Sequence, residues 1–363
     1  MKARAAVLRE FNKPLELTDV EVCPLEPGEI LVKVLAAGVC GSDVHIWKGN
    51  DPRVPLPLIP GHENVGEVVE TGGRVSDIYG DELKPGDTIT WERSVTCGRC
   101  WQCTVAKEPG LCATRRVYGI SYSAAERPFL VGGYAEMIHL RADMKPLKIA
   151  DDADRRLVAA AGCAGATAAH AIELAQIQPG DSVVVAGPGP VGLFVTAFAA
   201  AAGAGELIVL GARGDAARLD LARELGATDT MEVDTSTPEE RRERVMEATR
   251  GVGARRVFEC AGRVAAAAEG LKLVGRGGKL LLVGIATPVG DWPVSVYEDI
   301  SVKNVGVQGV WVSDTRHLAH ALALVAKKPA LGKIITKSFP LDDATEALET
   351  MAAREVTKAV IEP

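Results

Sequence analysis

The chain has 363 residues, enough for two or three domains with real cores, and its 47% hydrophobic and 25% charged residues exclude a disordered chain, a collagen-like chain and a small disulfide scaffold. A formal net charge of −7 without a basic cluster makes nucleic acid and anionic membranes poor electrostatic partners. No apolar run is read as reaching the ~18 residues of a membrane helix, the longest candidate being a short stretch around Ala199–Ala204.

Met1 to Glu10 carries Lys2, Arg4, Arg9 and Glu10 without an apolar centre, so no signal peptide is expected and the chain is read as cytoplasmic. Glu29–Ala37, Asn64–Thr71 and Asp87–Trp91 are short apolar or alternating runs, separated by Pro and Gly at Pro52–Gly61 and Pro85–Gly86. They predict a compact, irregular β domain. Near Asp154 the pattern changes. Arg155–Leu174 is Ala-rich and helical, and strands at Ser182–Ala186, Glu206–Leu210, Thr228–Val233, Arg256–Cys260 and Lys279–Val283 then alternate with helices at Pro190–Ala202, Ala216–Leu225 and Glu239–Thr249. All-apolar strands alternating with helices predict a parallel sheet covered on both faces. Val302–Val310 is a candidate edge strand, followed by helices near Thr315–Lys327 and Asp343–Ala353. A last strand at Thr357–Ile361 is expected to pack back on the first domain.

Eight cysteines stand at Cys23, Cys40, Cys97, Cys100, Cys103, Cys112, Cys163 and Cys260. Four of them have the spacing C-x2-C-x2-C-x8-C. Cysteines so close in tight turns aim their sulfurs at one point, which predicts a closed tetrahedral zinc site. A disulfide knot and thiols packed as small hydrophobes are the alternatives, and a reducing compartment disfavours the first. Cys23 and Cys260, in apolar surroundings without ligand neighbours, read as buried free thiols. The segments Cys40-Gly41-Ser42-Asp43-Val44-His45 and Gly61-His62-Glu63-Asn64-Val65-Gly66 offer a thiol, an imidazole and a carboxylate near short strands. That donor set suits a zinc site with an open position, and Cys163 could close it.

Strand Ser182–Ala186 runs into Gly187-Pro188-Gly189-Pro190-Val191-Gly192 and then a helix, which is G-x-G-x-x-G in its required context. Gly187 turns the chain, Gly189 lets backbone approach a pyrophosphate, Gly192 lets helix pack on strand, and the helix N-terminus supplies free N–H groups. An NAD site ordinarily carries Asp or Glu about 20 residues on, to hold the ribose hydroxyl. Here strand Glu206–Leu210 ends in Gly211-Ala212-Arg213. Gly211 removes the side chain that would repel a 2′-phosphate, Arg213 offers a charged fork, and Arg218 assists from the next helix. NADP(H) is therefore favoured over NAD(H). Asp215 nearby is the opposing sign, and a solvated loop charge is the plain alternative for Arg213.

In these segments the sequence resembles the zinc-containing alcohol dehydrogenases of the medium-chain dehydrogenase/reductase family, from GVCGSDVH and GHENVG through CGRCWQC to GPGPVG and the terminal strand. The resemblance implies an α/β protein with a GroES-like β-rich catalytic domain over 1-164 and 309-363, a structural zinc lobe near 93-114, and a Rossmann doubly wound parallel-sheet domain over 165-308. It places the active site in the cleft between the domains. It implies Cys40, His62 and Cys163 as ligands of a catalytic Zn²⁺, Glu63 as a carboxylate able to approach or join it, and Asp43 as the group that orients His62. Ser42 and His45 match a proton relay, Thr167 and Val191 nicotinamide contacts, and Lys358 a basic pyrophosphate contact. Cys97, Cys100, Cys103 and Cys112 match the structural zinc ligands.

The sequence departs from the family in three places. Eight residues rather than the usual seven separate the last two lobe cysteines, Gly73–Leu83 is lengthened and expected to form a polar surface loop, and Cys163 stands where many relatives carry glutamate. The implied activity is zinc-dependent hydride transfer between a small alcohol or carbonyl substrate and a nicotinamide cofactor. The alternative is an NAD-dependent polyol, sugar or threonine-type dehydrogenase, and the implied assembly is a homodimer or homotetramer. A non-catalytic nucleotide-binding relative is disfavoured by the retained ligands and relay. Trp91 and Arg93 precede the lobe where the family lines its substrate pocket, so either could shape substrate choice, with a surface position the equal alternative for Arg93. His139, His170, His317 and His320 read as structural or solvated.

Overall fold

The apolar run that begins at Glu29 becomes the central strand, Ile30–Val39, of a seven-stranded sheet in the computed structural model of the chain, which describes residues 1–363. Its length lets it pair antiparallel with three partners at once, Asn64–Thr71, Met137–Leu140 and Lys358–Ile361. The order across the sheet is Ile335–Phe339, Lys358–Ile361, Ile30–Val39, Asn64–Thr71, Thr88–Glu92 and Lys145–Lys148. Ile30, Val32, Ile89, Tyr134, Ile138 and Ile361 pack beneath it as the core. Trp91 belongs to that core and is buried, so the expectation that it shapes a substrate pocket gives way to a packing role.

A hairpin of Lys2–Val7 and Glu16–Glu21 precedes the sheet. Charged residues at its exposed positions, Lys2 and Arg4 against buried Ala3 and Ala5, hid the alternation from the sequence reading. The lengthened Gly73–Leu83 segment is a loop organised by Asp77, whose Oδ1 accepts the backbone N–H groups of Tyr79 at 2.8 Å and Asp81 at 3.1 Å.

The chain divides into two units, Met1–Cys163 with Ser313–Ala326 and Ile334–Pro363, and Ala164–Val312 with Lys327–Lys333. The second unit is a six-stranded, all-parallel sheet ordered Asp229–Glu232, Leu207–Gly211, Val183–Ala186, Ala254–Glu259, Val274–Leu282 and Gly306–Gly309. Numbered within the unit this is 3-2-1-4-5-6, the doubly wound order whose switch point lies beside the first strand. The expected Val302–Val310 strand is shorter, Gly306–Gly309, because Val296–Ser301 forms a π-helical turn before it.

The helical stretch Arg155–Ala175 corrects one expectation. Its 21 residues, with a mean hydropathy of 1.4, are long and apolar enough to cross a membrane, but 72% of its apolar window is buried inside the protein. Alanine makes it apolar without bulk, which suits a core helix packed closely on its neighbours.

Candidate active site

Strand pairing brings the first donors together. Ile30–Val39 delivers Cys40 at its end, and its antiparallel neighbour Asn64–Thr71 begins immediately after His62 and Glu63, with Ala37 opposite Asn64. On the other edge Ala359 lies opposite Val39, which carries Lys358 to the same end of the sheet. Cys163 arrives from the helical stretch. One ligand atom from each of Cys40, His62, Glu63 and Cys163 lies within 4.8 Å of the others.

Cys40 also stands at the N-cap of the helix Gly41–Trp47. Asp43, the third residue of that helix, has two duties. Its Oδ2 accepts the Cys40 N–H at 2.8 Å, and its Oδ1 lies 3.1 Å from His62 Nδ1. That contact puts the imidazole proton on Nδ1 and turns Nε2 to the cluster. The Tyr134 hydroxyl donates to Asp43 at 3.3 Å, a buried partner that no local motif marks. Gly38 was missed as well. A Cβ there would sit 2.1 Å from Glu63 Oε2, so only glycine admits the carboxylate. Glu63 is fully buried and Oε1 has no hydrogen-bond partner. The Lys358 ammonium, 1% exposed, pairs with its carboxylate.

The electrostatics follow from this crowding. Burial lowers the His62 pKa, but the charge and hydrogen bond of Asp43 and the nearby Cys40 outweigh it and lift the value to about 10. Cys40 is pushed far up by its hydrogen bond with Cys163, by burial and by the negative charges of Cys163 and Glu63. Cys163 is drawn down by the same hydrogen bond against burial, helped by the Arg93 guanidinium. Burial lowers the Lys358 pKa, but Glu63 and the two thiols raise it overall. Arg93 is 5% exposed and donates from Nη1 to the Gly162 carbonyl at 2.6 Å, so it is not a surface residue. Arg115, also missed, has a buried Nε without a partner, and burial with the like charges of Arg93 and Arg53 lowers its pKa to about 10.

Ser42 and His45 are both half-buried and stand three apart on Gly41–Trp47, hence on one helix face. Burial and the charge of Lys48 hold the His45 pKa below its ordinary 6.5, against a smaller opposing pull from Asp51.

Among the sulfurs of Cys97, Cys100, Cys103 and Cys112, the separations Cys100–Cys103, Cys97–Cys112 and Cys100–Cys112 are 3.5, 3.6 and 3.9 Å. A disulfide would bring a pair to about 2.05 Å. Four sulfurs at about 2.3 Å from a tetrahedral zinc stand about 3.8 Å apart. Backbone N–H groups of Arg99 and Cys100 lower the Cys97 pKa to about 6. All eight cysteines are free thiols, Cys23 buried and Cys260 half-buried. His139 is a core residue bonded to Glu29 at 2.8 Å, and His320 is exposed.

In the second unit, strand Val183–Ala186 turns at Gly187, with φ +106°, into the helix Pro190–Ala201. A Cβ at Gly192 would lie 1.9 Å from the Gly187 carbonyl, the close packing expected of the third glycine. No side chain caps this helix at Gly189, where a Cβ would meet open space, leaving its first N–H groups available. Thr167 and Val191 are half-buried on their helices. The strand Leu207–Gly211 ends on glycine, the side chain of Arg213 is exposed, and the Arg213 backbone N–H donates to the Asp234 carboxylate at 2.5 Å. Asp215 is turned inward, accepting the Ala212 N–H at 2.9 Å and holding Arg218 Nη1 at 2.8 Å.

Residues 26–151 match the family model for the alcohol dehydrogenase GroES-like domain, and residues 190–327 that for zinc-binding dehydrogenase. The chain is 36% identical to 5-exo-hydroxycamphor dehydrogenase of Pseudomonas putida, over 99% of this chain and 98% of that protein. It is 33% identical to an alcohol dehydrogenase of Geobacillus stearothermophilus, with 99% and 98% covered. The chain belongs to the zinc-containing alcohol dehydrogenase family. An alcohol dehydrogenase from Thermotoga maritima superposes with a TM-score of 0.97 at 44% identity, over 100% of both chains.

Membership implies an oxidoreductase that uses zinc and a nicotinamide cofactor, and the residues present fit both. Two thiols, an imidazole and an orphaned carboxylate oxygen converge in one buried cluster, a donor set of the kind that holds zinc. The four-sulfur lobe fits a structural zinc. The uncapped helix at Gly189 fits a pyrophosphate.

Proposed function

We propose that this family member is a zinc-dependent oxidoreductase that moves a hydride between an alcohol or carbonyl substrate and NADP(H). The observation that carries the reading is the convergence of Cys40, His62, Glu63 and Cys163 within 4.8 Å. Cys40, His62 and Cys163 serve as the zinc ligands, which leaves a position for substrate, and Glu63 stands by to approach the metal. Bound in these places, zinc supplies Lewis-acid polarisation of the substrate oxygen and the nicotinamide supplies hydride chemistry. Asp43 fixes the His62 tautomer and orientation, and Lys358 holds Glu63. The Ser42 hydroxyl passes the alcohol proton toward the His45 imidazole, which is neutral at pH 7 and able to take it. Gly187, Gly189 and Gly192 shape the phosphate turn, Thr167 and Val191 contact the nicotinamide, and Cys97, Cys100, Cys103 and Cys112 hold the structural zinc.

Support for NADP(H) comes from the strand tip. The strand ends on Gly211 with no carboxylate of its own, Arg213 is exposed, and the Asp215 carboxylate is already engaged by Ala212 and Arg218. A zinc-binding dehydrogenase from Sinorhizobium meliloti, 28% identical with a TM-score of 0.86, was solved bound to NADP. The second reading, an NAD-dependent polyol or threonine-type enzyme, draws on relatives named sorbitol dehydrogenase, 32% identical, and L-threonine 3-dehydrogenase, 29% identical. The strand Gly306–Gly309 at the sheet's edge, paired on one side by Val274–Leu282 and with Val307 and Trp311 exposed near it, supports a homodimer or homotetramer, and we place the enzyme in the cytoplasm.

A screen of small alcohols, aldehydes and sugars with both cofactors tests the reading. We expect turnover with NADP(H) preferred, and Arg213→Ala to weaken that preference about tenfold, the worth of one charge-assisted hydrogen bond. A clear preference for NAD(H) would overturn the cofactor assignment.

A further inference from the structure

The helical stretch that carries Cys163 is not regular. Between α-helical Arg155–Ala160 and Ala166–Ala175 it widens into a π-helical turn, Ala161–Gly165, with Cys163 at the centre. A π-turn rotates its side chains away from their α-helical directions and misaligns the carbonyl ladder, and it persists where other contacts hold it. One such contact is present. The Gly162 carbonyl, one residue before Cys163, accepts the 2.6 Å hydrogen bond from Arg93 Nη1.

Arg93 is itself fixed. Its carbonyl accepts the Tyr118 N–H at 3.0 Å, and the chain continues directly into the two-stranded ribbon of Ser94–Val95 with Arg116–Val117. Glu92 Oε1 accepts both the N–H and the hydroxyl of Ser94, at 3.3 and 2.8 Å, which braces the start of the ribbon. A buried guanidinium is a costly group to hold against a backbone carbonyl if all it does is fill space.

We infer that Arg93 is a positioning residue of the metal centre: its hydrogen bond to Gly162 holds the π-turn in the shape that aims Cys163 Sγ at Cys40 and His62. The inference rests on the reading of Cys163 as a metal ligand. It gives Arg93 a different task from the substrate contact that its place in the sequence suggested.

The test loads the whole protein with Co²⁺ and follows the thiolate-to-cobalt absorption together with release of the ion to a chelator. Wild type, Arg93→Ala, Arg93→Gln, Arg93→Lys and Cys163→Ser are compared. Cys163→Ser defines the signal of that sulfur, and the ion in the four-cysteine lobe is the internal control for folding. Arg93→Ala is expected to lose absorption toward the Cys163→Ser level and to release the ion from that centre ~10-fold faster or more, with lobe release unchanged. Arg93→Lys, which keeps a charged donor, recovers most of the loss, and Arg93→Gln, which keeps a neutral donor, recovers part. If Arg93→Ala also disturbs the lobe, Arg93→Gln and Arg93→Lys decide by the same comparison. Wild-type absorption and release in the Arg93 variants, with only the KM for substrate changed, would overturn the inference. If Cys163→Ser leaves the cobalt spectrum unmoved, the ligand reading itself fails and takes the inference with it.

Discussion

The two cysteine clusters of this protein are built in opposite ways. The lobe draws all its donors from residues 97 to 112, close to solvent, with backbone N–H groups on its sulfurs. The other cluster gathers Cys40, His62, Glu63 and Cys163 from three separate stretches of chain and surrounds them with Asp43, Tyr134, Lys358, Gly38 and Arg93. Four thiolates close a tetrahedral coordination sphere, whereas three protein ligands leave a position for a further one. A local cluster can staple its own loop. A cluster assembled by strand pairing is only as well formed as the fold around it, so it needs the outer groups that the lobe does without.

The contrast is broken or sharpened most strongly by removing one sulfur from each cluster. Cys163→Ser should lower kcat by about 10³-fold, since several kcal/mol of charge stabilisation go with the metal. Metal content should fall from about two to about one ion per chain, with little change in Tm. Cys112→Ser should do the reverse, losing the lobe ion and several degrees of Tm while the protein that remains folded keeps turning over. Metal analysis with thermal melts checks both, and a Cys112→Ser protein that is inactive yet melts like wild type would dissolve the distinction.

A smaller effect is expected at Asp43. Asp43→Asn keeps the shape but removes the charge that orients His62, and should weaken metal binding at that centre by about 10–100-fold without touching the lobe. Competition with a chelator measures it, and equal weakening at both sites would mean general loosening of the fold.

The smallest concerns pH. His45 must be neutral to take a proton, and its pKa is held below 6.5, so it is protonated only in acid. Alcohol oxidation should therefore be level at neutral pH and fall as pH drops through that lowered value. His45→Gln should remove this limb from the kcat/KM profile, and an unchanged profile would take His45 out of the relay.

Much of the molecule was legible in its sequence because the signals are short in range. The spacing of Cys97, Cys100, Cys103 and Cys112 fixes their convergence whatever the rest of the chain does. The Gly187–Gly192 turn likewise follows from local sterics, with Gly192 too close to the Gly187 carbonyl for any side chain. The alternation of apolar strands and helices after Asp154 specified the parallel sheet for the same reason.

What tertiary structure alone decided is which distant residues meet and in what environment. Trp91 sits in a strand whose two faces read alike, and only packing sent it to the core. Nothing near Lys358 in the chain suggests Glu63, yet the pairing of the last strand with Ile30–Val39 buries them against each other. Arg93 and Gly162 are separated by 69 positions, and the π-turn that joins them has no mark in an Ala- and Gly-rich stretch. Spacing along a chain constrains neighbours through bond geometry. Contacts between remote segments exist only once burial has selected one arrangement of the whole.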